Sequence, residues 1–190
     1  MLYSYNRIAL GLGSLLALSH LLSFDARAGR FEMSAGGNFG RSDYGDGSYN
    51  WSRRWGSSFG YRFSESSSLE VSYQDVVERT LINGYQDTTI HDRIYSLDCT
   101  QSLFGRGSLV DPYVKLGVAQ LNRDATGIYA MGGSPAAQLD ALSGLVGLGV
   151  RIRLTPALGL RGEVSSYLQG ARISTWQNNT GATAGVSFYF

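Results

Sequence analysis

The sequence predicts an all-β fold: an eight-stranded antiparallel transmembrane β-barrel, wound up and down. Three observations carry that prediction. Period-two alternation recurs in segments of about ten residues separated by turn residues, the pattern of strands that face lipid on one side and a lumen on the other. The connections between these segments alternate between short and long. After residue 28 no run of apolar residues approaches the roughly 20 that a membrane helix requires.

Eight segments fit, at about 30–40, 51–63, 69–79, 90–103, 110–121, 141–154, 158–169 and 180–190. The first places Glu32 on the lumen side. The second, WSRRWGSSFGYRF (Trp51 to Phe63), sets Trp51, Arg53, Trp55, Ser57, Phe59, Tyr61 and Phe63 on one face. Ser52, Arg54, Gly56, Ser58, Gly60 and Arg62 fall on the other. Aromatics at both ends of the first face suit two interfacial girdles. The third and fourth segments turn Glu70, Gln74 and Asp98 inward, and the fifth turns Lys115 inward. In the sixth, GLVGLGVRIRL (Gly144 to Leu154), Val146, Leu148, Val150, Ile152 and Leu154 face lipid. Leu145, Gly147, Gly149, Arg151 and Arg153 face the lumen. The seventh adds Arg161 and Glu163 to the lumen. The eighth alternates Ala182, Ala184, Val186, Phe188 and Phe190 outward with Thr183, Gly185, Ser187 and Tyr189 inward.

The short connections are Ser64–Ser68, Phe104–Leu109 and Thr155–Ala157; the long ones are Arg41–Asn50, Thr80–Thr89, Asn122–Asp140 and Gly170–Asn179. Short periplasmic turns and longer extracellular loops are the habit of outer-membrane barrels, so both termini are expected in the periplasm. Hydrocarbon offers backbone groups no partner, so the eighth strand must close on the first. A barrel of that size has an interior that side chains can fill. The inward ionic set is Glu32, Arg54, Arg62, Glu70, Asp98, Lys115, Arg151, Arg153, Arg161 and Glu163. Such charges must pair or bear a large desolvation cost, so Arg–Glu and Arg–Asp networks are expected. Gly117, Gly147 and Gly149 are expected to leave room for the long arginines.

Composition narrows the function. The chain has 190 residues, enough for one domain, with a net charge of +1. That balance points to neither nucleic acid nor an acidic tail. Residues 1–28 read as a cleaved signal peptide: Arg7, an apolar run from Ile8 to Leu22, then Ala26-Arg27-Ala28 as cleavage site. The barrel domain is then 29–190, with Cys99 as its single cysteine and His91 as its single histidine.

DPYVKLGVAQL (Asp111 to Leu121), SGLVGLGVRIRLTPALGLRGEVSSY (Ser143 to Tyr167) and TAGVSFYF (Thr183 to Phe190) resemble the small OmpA-like, opacity-type outer-membrane barrels. The resemblance implies a Gram-negative-type outer membrane and an assembly signal at Thr183, Gly185, Phe188 and Phe190, read by the barrel assembly machinery. Members of the family that bind peptidoglycan do so through a domain after the barrel, and no such domain is expected here.

His91, in TTIHDRIYS, is the candidate base for a lipid-modifying hydrolase, with Asp92 and Ser96 near it in sequence; Ser96 falls on the opposite strand face, and an exposed rim histidine is the reading adopted. Cys99 reads as a small lipid-facing residue. Asp43, Asp46 and Asp87 read as turn chemistry rather than a calcium loop, which would need a closing Glu. GLVGLGV does not fit a dinucleotide loop. No cofactor, metal or catalytic residue is therefore expected. The expected role is structural or interactive, adhesion- or antigen-like, with a lumen plugged by charged side chains. Its expected partners are outer-membrane lipid and lipopolysaccharide, the assembly machinery, and an extracellular ligand reached through the loops. A small pore and a lipid-modifying enzyme are the alternatives.

Overall fold

The structure is a computed structural model that describes residues 30–104, 108–129, 137–169 and 180–190. The signal-peptide segment, the middle of the short connection Phe104–Leu109, the middle of the third long connection and the whole of the fourth lie outside the described residues. Eight strands form: β1 (Phe31–Gly45), β2 (Ser48–Arg62), β3 (Ser67–Ile82), β4 (Gln86–Ser102), β5 (Val110–Tyr129), β6 (Ala137–Arg153), β7 (Leu158–Gln169) and β8 (Thr180–Tyr189). Each pairs antiparallel with the next, and the sheet closes into a barrel. β8 returns to β1 in a register running from Glu32 opposite Tyr189 to Gly37 opposite Ala184. Phe31 and Phe190 extend that seam by exchanging both backbone hydrogen bonds, at 3.0 and 3.1 Å.

The alternation has the polarity of a membrane barrel, inverted from that of a water-soluble one. Glu70 and Lys115 are each 2% exposed, whereas Leu116 is 61% and Leu148 is 65% exposed. Such apolar area facing outward on every strand has a favourable home only in hydrocarbon. Along β6 the outward positions from Leu142 to Leu154 carry no charge. At a rise of about 3.4 Å per residue and a tilt of about 40°, that stretch reaches roughly 30 Å, the thickness of a bilayer core.

Aromatic clusters mark both borders of the apolar band. At the end that holds the strand termini Phe31 and Phe190, Phe31 stacks on Phe59 (5.7 Å) and Phe190 (5.9 Å) and leans on Tyr61 (5.4 Å). Toward the other end, Trp55 meets Tyr73 edge-on at 5.5 Å and Tyr73 meets Tyr95 at 5.1 Å. Amphipathic rings partition to the two membrane–water interfaces.

The strands outrun the apolar band at that second end. Residues 41–50 and 80–89, expected as loops, are mostly ladder: Asp43 pairs with Tyr49, and Leu81 with Asp87. The first reversal needs only Asp46 and Gly47, both at positive φ (48° and 84°), the conformation of a tight hairpin turn. β5 likewise continues to Tyr129. The hydrophobic pattern stops at the membrane border because beyond it strand faces have no apolar side to declare, while backbone pairing continues.

Candidate functional site

The chemistry of this barrel is concentrated in its lumen. Lys115 on β5 sits at the centre, with Nζ 2.9 Å from Glu70, 3.1 Å from Glu163 and 3.5 Å from Asp98. These groups meet because Glu70 is opposite Asp98 on β4, and Glu163 reaches across from β7. Arg161 completes the knot. Its Nη1 and Nη2 donate to the two Glu70 carboxylate oxygens at 2.7 and 2.9 Å, and Nη2 donates to Glu163 at 2.6 Å. Its Nε donates to the Tyr113 hydroxyl at 2.8 Å, and that hydroxyl donates to Glu163 at 2.7 Å. A planar guanidinium can satisfy several acceptors at once, which suits Arg to a dry, crowded interior.

Toward the strand-terminus end, Arg151 and Arg161 stand directly opposite on β6 and β7. Two guanidiniums so placed need negative charge between them. Glu32 supplies it: Arg151 Nε donates to Glu32 at 3.1 Å, and Arg161 lies 3.6 Å away. Arg62 approaches Glu32 at 3.8 Å, and the Ser187 hydroxyl donates to it at 3.0 Å. The Tyr113 ring adds its face to both cations, 4.2 Å from Arg151 and 5.2 Å from Arg161. Asp111 accepts from the Ser102 hydroxyl and lies 3.9 Å from Arg151.

Beyond the charges, toward the hairpin end, lies an apolar layer: Ile94, Ala119, Leu121, Leu145 and Tyr167, with Val76 packed against it. Farther on, Arg123 donates bidentately to Asp92, both bonds at 2.7 Å. The lumen therefore stacks ionic, apolar and ionic layers. The apolar layer borders the Lys115 knot on its hairpin side. One small cavity of about 50 Å³ lies beside the knot, against Ser34, Gly36, Gly56, Ser58 and Gly185.

Of the ten inward charges, Glu32, Arg62, Glu70, Asp98, Lys115, Arg151, Arg161 and Glu163 come together in this array. Arg54 stands apart, donating to Gln74 at 3.3 Å. Arg153 lies nearer the strand-terminus end, 5.4 Å from the Tyr189 ring. The glycines do not make room for arginines as expected. A Cβ at Gly149 would fall on the Tyr113 ring, Gly147 faces Lys115, and Gly117 faces Asp98. The glycine that accommodates an arginine is Gly181, under the Arg54 guanidinium. Sequence reasoning omitted Tyr113, Asp111 and the Asp92–Arg123 pair. The signal was present, because Asp111 and Tyr113 share the parity of Lys115.

Outside the barrel, His91 is not a free rim residue. Its Nε2 lies 2.7 Å from Asp75 Oδ2 on the neighbouring strand, whereas Asp92 turns inward to Arg123. Among the described residues no serine or threonine hydroxyl bonds to His91. Cys99 lies on the outer face between Leu69 and Leu116. Asp43 and Asp87 are held by Arg41 and Arg79, and Asp46 accepts from the Ser48 amide. In the proposed assembly signal, Thr183 and Gly185 point to the lumen while Phe188 and Phe190 point out.

A closed eight-stranded barrel with a charged, packed lumen and an apolar exterior defines a small outer-membrane β-barrel protein of OmpA-like type. Residues 3–190 match the OprF membrane domain, and the chain belongs to that family. Solved structures share the fold, three of them as follows. The N-terminal β-barrel domain of Pseudomonas aeruginosa OprF is 18% identical with a TM-score of 0.57, covering 85% of this chain and 98% of that one. The P. aeruginosa outer-membrane protein OprG is 15% identical with a TM-score of 0.51, covering 86% and 96%. The attachment invasion locus protein Ail of Yersinia pestis, in complex with the heparin analogue sucrose octasulfate, is 14% identical with a TM-score of 0.50, covering 84% and 96%. A search of curated proteins finds no match.

Proposed function

We propose that this outer-membrane barrel is a non-conducting surface protein whose interactions are made at its hairpin end. The observation that carries this is the lumen, where the Lys115–Glu70–Arg161–Glu163 knot lies against the apolar layer of Leu121, Leu145 and Tyr167. A barrel closed in this way acts through its outer surface, and the surface most elaborated beyond the apolar band is at the hairpin end. That end faces the cell exterior and both strand termini face the periplasm. Supporting this orientation, the strand-terminus end closes with compact turns such as Leu154 to Leu158, while the hairpin strands project. An adhesion- or antigen-like role follows, with a ligand met by the projecting strands and the connections beyond them. Phe188 and Phe190, with Thr183 and Gly185, are proposed as the contact for the barrel assembly machinery.

The test has two arms. Purified protein in planar bilayers gives no steady channels; reproducible conductance steps would replace this reading with the pore. In intact cells, a D46C variant on a C99S background reacts with a membrane-impermeant maleimide. Labelling only after the outer membrane is permeabilised would invert the orientation.

A further inference from the structure

Among the described residues, the outer face carries positive charge on one half of the barrel only, while its carboxylates extend to Asp124 and Asp140 on β5 and β6. Arg41, Arg53, Arg79 and Arg93 all stand on outward positions of β1 to β4. Among the described residues, no Arg or Lys occupies an outward position of β5 to β8. Two of these arginines are tightly held: Arg41 lies 2.9 Å from Asp43, and Arg79 grips Asp87 at 2.8 and 3.0 Å. The other two are not. Arg53 lies 4.0 Å from Asp75, and Arg93 lies 3.6 Å from Asp124.

Arg53 shares its carboxylate with His91, whereas the partner of Arg93 is Asp124 on β5. His91 takes Asp75 Oδ2 at 2.7 Å, and the Asp75 side chain is only 12% exposed beneath its neighbours. The Arg53 and Arg93 side chains are 56% and 47% exposed. β3 alone separates them: Arg53 pairs with Val77, and Arg93 pairs with Asp75. Their backbones are thus about 12 Å apart, two strand spacings across and two residues along, and two arginine side chains can converge across that gap. Both arginines border the aromatic cluster of Trp55, Tyr73 and Tyr95, the level at which lipid headgroups begin. The adjoining outward positions on β5, Asn122 opposite Arg93 and Gln120 opposite Tyr95, are amide groups.

We propose that Arg53 and Arg93, which flank the hydrogen-bonded Asp75 and His91, bind the phosphate of a phosphorylated glycolipid in the outer leaflet. A guanidinium fork matches phosphate oxygens bidentately, and two forks on one phosphate add specificity. The glycolipid is favoured over a simple phospholipid because the polar positions beside the arginines offer partners for sugar hydroxyls. The site rests on the orientation proposed above for its location in the cell. Its chemistry is tested without that orientation.

The experiment is native mass spectrometry of the purified, folded protein in detergent, titrated with bisphosphorylated lipid A. The wild type retains lipid A, and R53Q/R93Q retains it about tenfold less well, the scale of lost charge-assisted bonds. Lipid A stripped of its phosphates binds wild type as weakly as that variant, and R41Q/R79Q behaves as wild type. Equal retention by R53Q/R93Q overturns the proposal, as does equal retention of phosphatidylglycerol in place of lipid A. Should R53Q/R93Q fail to fold, R53K/R93K keeps the charge and removes the forks. It must lose lipid A relative to wild type, and undiminished retention overturns the site. Failure here leaves the labelling result at Asp46 standing on its own.

Discussion

Arg161 spans the lumen to Glu70, its two terminal nitrogens meeting the two carboxylate oxygens at 2.7 and 2.9 Å. Both groups are buried, so neither charge can turn to water when the other is lost. Removing one partner of a buried pair leaves an uncompensated charge, typically at a cost of about 3–5 kcal/mol. Arg161→Met is therefore expected to destabilise the barrel by about 3 kcal/mol, within that range for a broken buried pair. Urea unfolding in lipid vesicles, followed by the gel-mobility difference between folded and unfolded barrel, measures it. The double variant E70L/R161M is expected to recover part of the loss. Additive losses would mean that the two residues act independently.

Tyr113 occupies the space that Gly149 leaves on the opposite strand, and both Arg151 and Arg161 rest against its ring. Any side chain at Gly149 must displace the ring and with it the hydroxyl that links Arg161 to Glu163. Gly149→Val is expected to cost more than Tyr113→Phe, which loses only hydrogen bonds of about 1–3 kcal/mol in total. Comparing the two unfolding midpoints checks the order, and a Gly149→Val barrel as stable as wild type would show that the ring can move freely.

The barrel was legible because alternation is a property of every strand, and Glu70, Asp98, Lys115, Arg151, Arg161 and Glu163 share the parity that turns inward. Tyr113 escaped notice because an aromatic within an alternating segment reads as a girdle residue unless its parity is followed from Lys115. The apolar layer was harder to see. Leu121 and Leu145 are inward by parity, but nothing local shows that they meet Ile94 and Tyr167 from other strands. The same limit applies to His91. Its partner Asp75 lies sixteen positions away in the chain and becomes adjacent only through the β3–β4 register.

The hairpin between β1 and β2 turns on Asp46 and Gly47, with φ of 48° and 84°. A β-branched residue is strongly disfavoured in that left-handed region, whereas Asn is tolerated. Gly47→Val is expected to destabilise the turn by about 1–2 kcal/mol and Asp46→Asn to leave it nearly unchanged. Hydrogen exchange at Tyr49 and Asn50 reports the local opening. Because the hairpin lies beyond the apolar band, the unfolding midpoint of the whole barrel is expected to move less than this local protection does. Equal changes in both would place the turn within the cooperative core.

Phe190 lies where β8 closes on β1, its ring 5.9 Å from Phe31 and 6.5 Å from Phe59. Two effects are therefore combined in one residue: packing at the seam and the proposed contact with the assembly machinery. Phe190→Ala removes both, while Phe31→Ala removes the seam stack and keeps Phe190. In refolding from urea into vesicles without any machinery, both variants are expected to fold with lowered stability, Phe31→Ala the more so because it also loses Tyr61, at about 1 kcal/mol for each lost aromatic pair. In cells, Phe190→Ala is expected to accumulate less folded barrel in the outer membrane than Phe31→Ala, measured as the heat-shifted band in membrane fractions. Equal accumulation in cells would confine Phe190 to packing and remove it from the assembly contact.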